Sequence, residues 1–311
     1  MNNTEISIII PVFNSENTIA ILCEEIISAL SSFNSFELIL VNDCSADASW
    51  RKIMEAHQQN KNIIGVNLRK NSGEDNAIMA GLSISTGKIL VLMDDDLQHN
   101  PKDIIKLYNE CKNGYDVCFA NFDVKKQSVF KNISSKINGK VMEIFLKKPK
   151  HIYLSSFKAI KREIANEIIS FSGSFPYVNG IILTITNNLT QITVEHFERK
   201  EGISNYNKKR MLSLFLKSLT GFSIAPLRMA IFAGFGASVF GFCLIIKYLL
   251  DYYYHRDYLR GWTSVVVLII FFGGLILMSL GIIGEYIGRI YLSINNKPQY
   301  SIAEVVRNDE E

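Results

Sequence analysis

The first 120 residues alternate between short apolar runs and longer amphipathic stretches. The runs are rich in β-branched residues and are continuous rather than alternating in polarity, which indicates strands covered on both faces. The stretches between them have the spacing of helices. We therefore predict strands at Ile6–Val12, Leu38–Asn42, Ile63–Leu68, Ile89–Met93 and Asp116–Ala120. The predicted helices are approximately Asn17–Ser31, Ala48–Gln59, Asp75–Ser85 and Pro101–Lys112.

Strand–helix repetition of this kind predicts an α/β fold with a mostly parallel sheet and right-handed crossovers. Ligands on such sheets bind at the carboxyl ends of the strands, so the chemistry is expected in the loops after Val12, Asn42 and Met93. The pattern is less regular and more basic from Phe122 to about Arg210. We assign this part to the acceptor-side half of the same domain, which then spans residues 1–210.

The remainder of the chain is markedly apolar. Residues 211–227 have an apolar stripe with basic flanks, which suits a helix at an anionic membrane surface, although a helix packed on the domain is the alternative. Met229–Leu250 and Thr263–Gly284 are each long enough to cross a hydrocarbon core, which takes about 20 apolar residues. We predict a two-helix anchor over 228–288 and a cytoplasmic tail over 289–311, with a buried soluble hairpin as the alternative.

Basic residues precede the first span and follow the second, so the positive-inside bias places both termini in the cytoplasm. Three glycines at Gly281, Gly284 and Gly288 permit close helix approach and suggest oligomer packing. The net charge of +3 implies no large nucleic-acid footprint, so no nucleic-acid partner is expected. Five scattered cysteines without a CxxC pair argue against a disulfide framework or a zinc site.

The most informative polar residues follow the predicted strand ending at Met93. Asp94, Asp95 and Asp96, with Gln98, supply oxygen ligands on a strand-end loop, and these suit a hard divalent ion that also binds substrate phosphates. The alternative is a solvated acidic turn.

Three further segments offer weaker signals. Asp43 ends another apolar run and could accept from a pyrimidine N–H, although Ser45 or Asp47 could equally cap a helix there. Gly73 permits close ligand approach, but turns need glycine anyway. Arg199 could hold a phosphate as a guanidinium fork, or lie in a polar surface loop.

Taken together, these segments resemble family 2 glycosyltransferases of the GT-A fold, and within them the polyprenyl-phosphate sugar transferases. The motifs that carry the resemblance are Ile8–Ile19, Phe36–Asp47, Arg69–Leu82, Leu92–Pro101, Glu198–Tyr206 and, in the apolar tail, Ala225–Met229 and Gly284–Tyr291.

The resemblance implies inverting transfer of a sugar from a nucleotide-diphosphate sugar, with a UDP-sugar favoured, to undecaprenyl phosphate. It implies Mg²⁺ or Mn²⁺ as cofactor, the bacterial inner membrane as location, and a homo-oligomer, with a tetramer suggested by analogy. The expected metal ligands are Asp94, Asp96 and Gln98, and the catalytic residues are Asp94, Asp96 and Arg199. Acceptor binding is expected from Arg199, Ser204 and Tyr206. Nucleotide binding is expected from Pro11, Phe13, Asn14, Glu16, Asp43, Gly73, Asp94 and Asp95.

The chain departs from the family pattern where loops line the donor, which leaves the sugar open. It has Ser15 before Glu16, Cys44 after Asp43, and Lys158 in place of a common arginine. A processive polysaccharide synthase is one alternative function, but neither tryptophan lies in a QxxRW segment. A non-catalytic membrane scaffold or flippase component is the other alternative.

Overall fold

The computed structural model describes residues 4–33, 35–122, 143, 148–173, 176–194, 225–255, 262–295 and 298–308. The chain forms two compact units. One comprises Met1–Asn207 together with Asn296–Glu311, and the other comprises Lys208–Asn295.

The first unit is built on an eight-stranded sheet with the order β7-β5-β6-β4-β1-β2-β3-β8. Its two antiparallel members are β6 and β8, and the remaining strands run parallel. The strands are β1 Ile6–Val12, β2 Phe36–Asn42, β3 Ile63–Leu68, β4 Ile89–Leu92, β5 Val117–Phe122, β6 Lys158–Lys161, β7 Leu189–Val194 and β8 Ile302–Val306.

Helices connect and cover these strands. They are α1 Ile19–Ala29, α2 Ser49–Gln59, α3 Glu74–Ile84, α4 Asp103–Lys112, α5 Arg162–Ile169 and α6 Val178–Ile185. The central strands are buried on both faces, since residues 38–41 of β2 and 89–92 of β4 are all buried. Packing is tight where α3 crosses β1, because a Cβ built on Gly81 would lie 2.4 Å from Cγ2 of Ile9.

The mostly parallel α/β fold is confirmed. The five predicted strands are also confirmed, and each observed end lies within two residues of the predicted one. The sequence did not predict β6, β7 or β8. Strand β8 lies in the segment assigned to a tail, and it pairs antiparallel with β3. Its five residues are mostly exposed, so no buried pattern marks it as a strand.

The second unit contains two long helices, α7 Ala225–His255 and α8 Trp262–Ile294. Among the described residues, one stretch is long and apolar enough to cross a membrane, Phe271–Leu292, with a mean hydropathy of 1.6. A second apolar stretch, Ala230–Leu244, is shorter. The predicted spans lie in these two helices, and the prediction of two transmembrane helices remains a prediction. The predicted surface helix lies, up to residue 224, outside the described residues.

Candidate active site

Four loops leave the carboxyl edge of the parallel strands, where the sequence predicted the chemistry. The first, second, third and fourth loops follow β1, β2, β3 and β4 and comprise residues 13–18, 43–48, 69–73 and 93–102.

Asp43 joins the second loop to the third. Its Oδ1 accepts a 2.7 Å hydrogen bond from the backbone N–H of Ser72, and its Oδ2 accepts a 2.9 Å bond from that of Gly73. The carboxylate is buried, at 4% exposure. Gly73 adopts φ 92°, a conformation that glycine tolerates without strain, and this turns its N–H toward Asp43 at the start of α3. Both carboxylate oxygens of Asp43 therefore fix the shape of the third loop.

The first and second loops are also held together. Asn14, at φ 55°, accepts from the backbone N–H of Ala46 at 2.9 Å through its Oδ1. Glu16 Oε2 accepts from the N–H of Ala48 at 2.9 Å, directly before α2, and Asp47 Oδ2 accepts from the N–H of Glu16 at 3.1 Å. The bond from Ala48 satisfies an N–H at the start of α2, which the helix itself leaves unpaired, and the bond from Glu16 returns the link to the first loop.

Asp95 links the fourth loop to the first. Its Oδ2 accepts from the backbone N–H of Phe13 at 3.2 Å and from Oγ of Ser15 at 2.5 Å. Burial raises the pKa of the Asp95 carboxyl from its ordinary 3.8 to about 6, while the two hydrogen bonds oppose the increase. Phe13 itself remains 46% exposed, which is unusual for a large apolar side chain.

Asp94 and Asp96 occupy the same loop in different environments. Asp94 is 31% exposed, and its Oδ2 accepts a 2.6 Å hydrogen bond from Oγ of Ser156. Asp96 Oδ1 accepts from the N–H of Gln98 at 3.2 Å, which closes a tight turn. The loop therefore presents two carboxylates separated by one residue, and each of them accepts a hydrogen bond from the protein.

A buried histidine lies beside Asp94. His99 lies stacked between the rings of Phe157, at 4.9 Å, and Phe122, at 5.6 Å. Its Nε2 is 3.9 Å from Oδ2 of Asp94. The stacked rings fix the imidazole plane and hence the direction from which it approaches the carboxylate.

A buried cation lies close to these acids. Lys158, at the first position of β6, is 2% exposed and donates from Nζ to the backbone O of Ser155 at 3.0 Å and to Oδ1 of Asn179 at 2.7 Å. Burial lowers the pKa of Lys158 from 10.5 to about 8, against the opposing pull of the carboxylates of Asp75 and Asp94. The lysine therefore compensates part of a concentrated negative charge.

Two further carboxylates begin α3 on the same side. Asp75 Oδ1 accepts from the backbone N–H of Val178 at 3.1 Å, and burial raises the pKa of Asp75. Glu74 reaches solvent, yet most of its surroundings are protein; this enclosure, with the nearby charge of Asp94, raises the pKa of Glu74 to about 8. The site thus holds more acidic than basic groups among the described residues.

The donor set fits a hard divalent cation. Carboxylate and amide oxygens are available from Asp94, Asp96 and Gln98, and Mg²⁺ is typically held by one or two carboxylates together with substrate phosphates. Within the described ranges, no three or more His, Cys, Asp or Glu side chains surround a common metal position. The carboxylate and amide oxygens present therefore suit an ion that substrate oxygens help to bind.

The model for glycosyl transferase family 2 matches residues 7–169, which include β1 apart from its first residue, β2 to β6 and all four loops. This chain belongs to glycosyl transferase family 2. The transferase is 30% identical over 306 residues to the undecaprenyl-phosphate 4-deoxy-4-formamido-L-arabinose transferase of Photorhabdus laumondii. That alignment covers 97% of this chain and 94% of the relative.

Solved structures share the fold at lower identity. Glucosyl-3-phosphoglycerate synthase from Mycobacterium tuberculosis, in complex with Mn²⁺, UDP and glucosyl-3-phosphoglycerate, is 17% identical with a TM-score of 0.53. The structure of the same enzyme in complex with Mn²⁺, UDP and phosphoglyceric acid is also 17% identical and has a TM-score of 0.54. Each match covers 70% of this chain, and 78% and 76% of the respective neighbour. The predicted GT-A fold is confirmed.

The transferase brings most of its predicted site residues to one edge of the sheet. Pro11 lies within β1, one residue before its end, while Arg199, Ser204 and Tyr206 lie outside the described residues. The residues that lie in the four loops are Phe13, Asn14, Glu16, Asp43, Gly73, Asp94, Asp95, Asp96 and Gln98. Their binding roles remain predictions, and the hydrogen bonds above show that Asn14, Glu16 and Asp43 also fix the loops themselves.

Sequence reasoning did not assign a role to several groups of the transferase site. Ser15, Ser156 and Asn179 are polar residues of common types, and no local pattern distinguishes them from surface positions. The sequence does mark Lys158 as unusual, since it is a lysine in the otherwise apolar run Phe157–Ile160. A cation in a buried strand requires a compensating acid, and that acid comes from other segments.

Proposed function

We propose that the transferase moves a sugar, with inversion, from a nucleotide-diphosphate sugar to undecaprenyl phosphate. A UDP-sugar is the favoured donor. The observation that carries the proposal is the match over nearly the whole length of both chains to a relative named for undecaprenyl phosphate. The clustered loops at the carboxyl edge support it, because they carry the partly exposed carboxylate of Asp94 and the exposed aromatic ring of Phe13.

In this proposal the first three loops bind the nucleoside. Phe13 offers an exposed ring face for stacking, and Asp43 lies at the base of the cleft with its carboxylate oriented by two backbone N–H groups. Carboxylate oxygens have lone pairs in excess of those two bonds, so Asp43 retains acceptor capacity for a base N–H.

Asp94, Asp96 and Gln98 would hold Mg²⁺ or Mn²⁺, which neutralises charge on the departing diphosphate. The attacking group is a phosphate monoester, whose second pKa of about 6 leaves it largely anionic at neutral pH. The chain therefore needs to orient rather than deprotonate the nucleophile. Arg199, Ser204 and Tyr206 are proposed to hold the acceptor phosphate in line with the anomeric carbon, since positioning supplies much of such a rate enhancement.

The apolar helices α7 and α8 are proposed as the membrane anchor. Large apolar side chains cover their described surfaces, with Phe232 at 73%, Leu277 at 71% and Met278 at 66% exposure. Exposed apolar surface of this extent suits a lipid environment rather than water. The proposed location is the bacterial inner membrane, with the catalytic domain and both termini in the cytoplasm. A homo-oligomer remains part of the proposal.

Activity can be tested with purified full-length protein, undecaprenyl phosphate and a panel of UDP-, GDP- and dTDP-sugars in the presence of Mn²⁺. Mass spectrometry of the lipid fraction should show undecaprenyl phosphate with one added sugar residue. Asp96→Asn should lower turnover at least about 100-fold. Asp116→Asn is a matched control, because Asp116 directly precedes β5 and so lies at the opposite edge of the sheet. Absence of any lipid-linked product with all donors would refute the proposal.

A further inference from the structure

The chain returns to the catalytic unit after the second apolar helix. We name residues 298–306 the C-terminal strap; its last five residues form β8. Because β8 runs antiparallel to β3, with Ile302 opposite Leu68, the strap reaches the sheet at the carboxyl edge of β3. The residues just before β8 therefore pass beside the third loop.

The strap contacts that loop through the backbone. The N–H of Arg69 donates a 2.8 Å hydrogen bond to the carbonyl O of Ser301. Four residues farther along the same loop, Gly73 donates to Asp43. The start of the third loop is therefore held by the strap and by a 3.9 Å hydrogen bond from Sγ of Cys44 to the carbonyl O of Arg69, and its end is held by Asp43. Losing the strap would remove one of the two restraints on the start of the loop.

Gln299 fastens the strap to the other half of the catalytic unit. Its Nε2 donates to the carbonyl O of Phe171 at 2.7 Å and to that of Gly173 at 2.8 Å, just after α5. Both N–H groups of one side-chain amide are thus used, which fixes the strap at a point two residues from Ser301.

The last residue of the strap, Val306, packs closely against β3. A Cβ built on Gly65 of β3 would lie 2.6 Å from Cγ2 of Val306 and 2.8 Å from Cγ2 of Ile53, so glycine at that position makes room for the side chain of Val306. Beyond β8, Arg307 Nη2 lies 3.3 Å from Oε2 of the buried Glu37 and 3.2 Å from the carbonyl O of Ile84. These contacts indicate a built docking site rather than a loosely attached tail.

We propose that the C-terminal strap is a positioning element of the donor-nucleotide site, which it serves by fixing the third loop. The inference rests on the proposed function, in which the third loop contacts the nucleotide. It makes donor affinity dependent on residues that follow the membrane anchor in sequence, and it assigns Gln299 a positioning role.

The experiment compares full-length protein in detergent with a variant lacking residues 298–311, a control lacking only 309–311, and Gln299→Ala. UDP binding in the presence of Mn²⁺ is measured by calorimetry, with GDP and dTDP as further probes. Loss of the strap should weaken nucleotide binding about tenfold or more, and Gln299→Ala should weaken it about 3- to 10-fold. A peptide of residues 298–308 added to the truncated protein should restore affinity.

Two further readouts separate positioning from general loss of structure. Hydrogen exchange of the backbone amides of residues 69–73 should accelerate in Gln299→Ala, while amides of β2 keep their protection. The KM for undecaprenyl phosphate should stay within about twofold of the full-length value.

Equal nucleotide affinity in full-length protein and Gln299→Ala, with unchanged exchange at residues 69–73, would overturn the positioning role of the strap. Because Gln299→Ala retains the whole chain, this outcome would count against the strap even if the truncated protein did not fold. Full-length protein that binds none of the three nucleotides would instead overturn the proposed function.

Discussion

Ser156 donates a 2.6 Å hydrogen bond to Oδ2 of Asp94, although 62 residues separate them in sequence. The bond joins the loop before β6 to the loop after β4, and these two strands pair antiparallel in the sheet. One oxygen of Asp94 is thereby oriented by the protein, and the 31% exposure of the side chain shows that part of it is accessible to solvent.

Ser156→Ala should weaken Mn²⁺ binding in the presence of UDP. The unrestrained carboxylate must lose rotational freedom on binding, and the lost hydrogen bond corresponds to about 0.5 to 1.5 kcal/mol, or roughly 2- to 10-fold in affinity. Electron paramagnetic resonance of free Mn²⁺ measures this directly, without turnover. Ser83→Ala, at an exposed position near the end of α3, is the control. Unchanged affinity in Ser156→Ala would show that Asp94 needs no such orientation.

The stability of Asp43 variants should decrease with each side-chain oxygen acceptor that the substitution removes. Asp43→Ala leaves the N–H groups of Ser72 and Gly73 without their partner, and we expect a loss of about 2 to 4 kcal/mol in the free energy of unfolding. Asp43→Asn retains one acceptor and should lie between alanine and the natural residue. Urea unfolding gives the order, and the same order is expected for nucleotide affinity. Equal stability of all three proteins would contradict the structural role.

Lys158→Met should destabilise the transferase strongly. It removes the cation that faces the carboxylates of Asp75 and Asp94 and leaves their negative charge uncompensated, at a cost of about 3 kcal/mol or more. Adding Asp75→Asn should recover part of the loss, because one of the facing acids is then neutral. A double-mutant cycle of unfolding free energies measures the coupling. A coupling energy near zero would mean that the lysine does not compensate Asp75.

The raised pKa of Asp95 predicts a pH-dependent stability. The contribution of Asp95 is fully favourable below its unfolded pKa near 3.8 and is lost as the pH rises through about 6, because the buried carboxyl must then ionise. Asp95→Asn should therefore be more stable than the natural protein at pH 8, by on the order of 2 kcal/mol, and show little advantage near pH 4.

Thermal unfolding in EDTA at the two pH values tests this without interference from bound metal. A stability difference between Asp95→Asn and the natural protein that does not change with pH would show that the carboxyl titrates normally.

Much of the fold follows from local sequence pattern. The runs from Ile6, Ile63 and Ile89 are short, mainly apolar and rich in β-branched residues, which is typical of strands covered on both faces. Their order alone places Asp43 and Asp94 at one edge of a parallel sheet, since parallel strands share the direction of their carboxyl ends. The family motifs lie in the same loops, which is why the family could be recognised before the contacts were known.

Tertiary structure decided what those residues touch. Strand β8 exists because the edge of β3 offers unpaired backbone groups and the space above Gly65, and neither is visible in the residues 302–306 themselves. Ser156 and Lys158 acquire their roles only because β6 pairs with β4 and carries them to Asp94. The local sequence determines which backbone conformation a short segment prefers. A hydrogen bond between distant segments depends instead on strand pairing, which is set by the packing of the whole sheet.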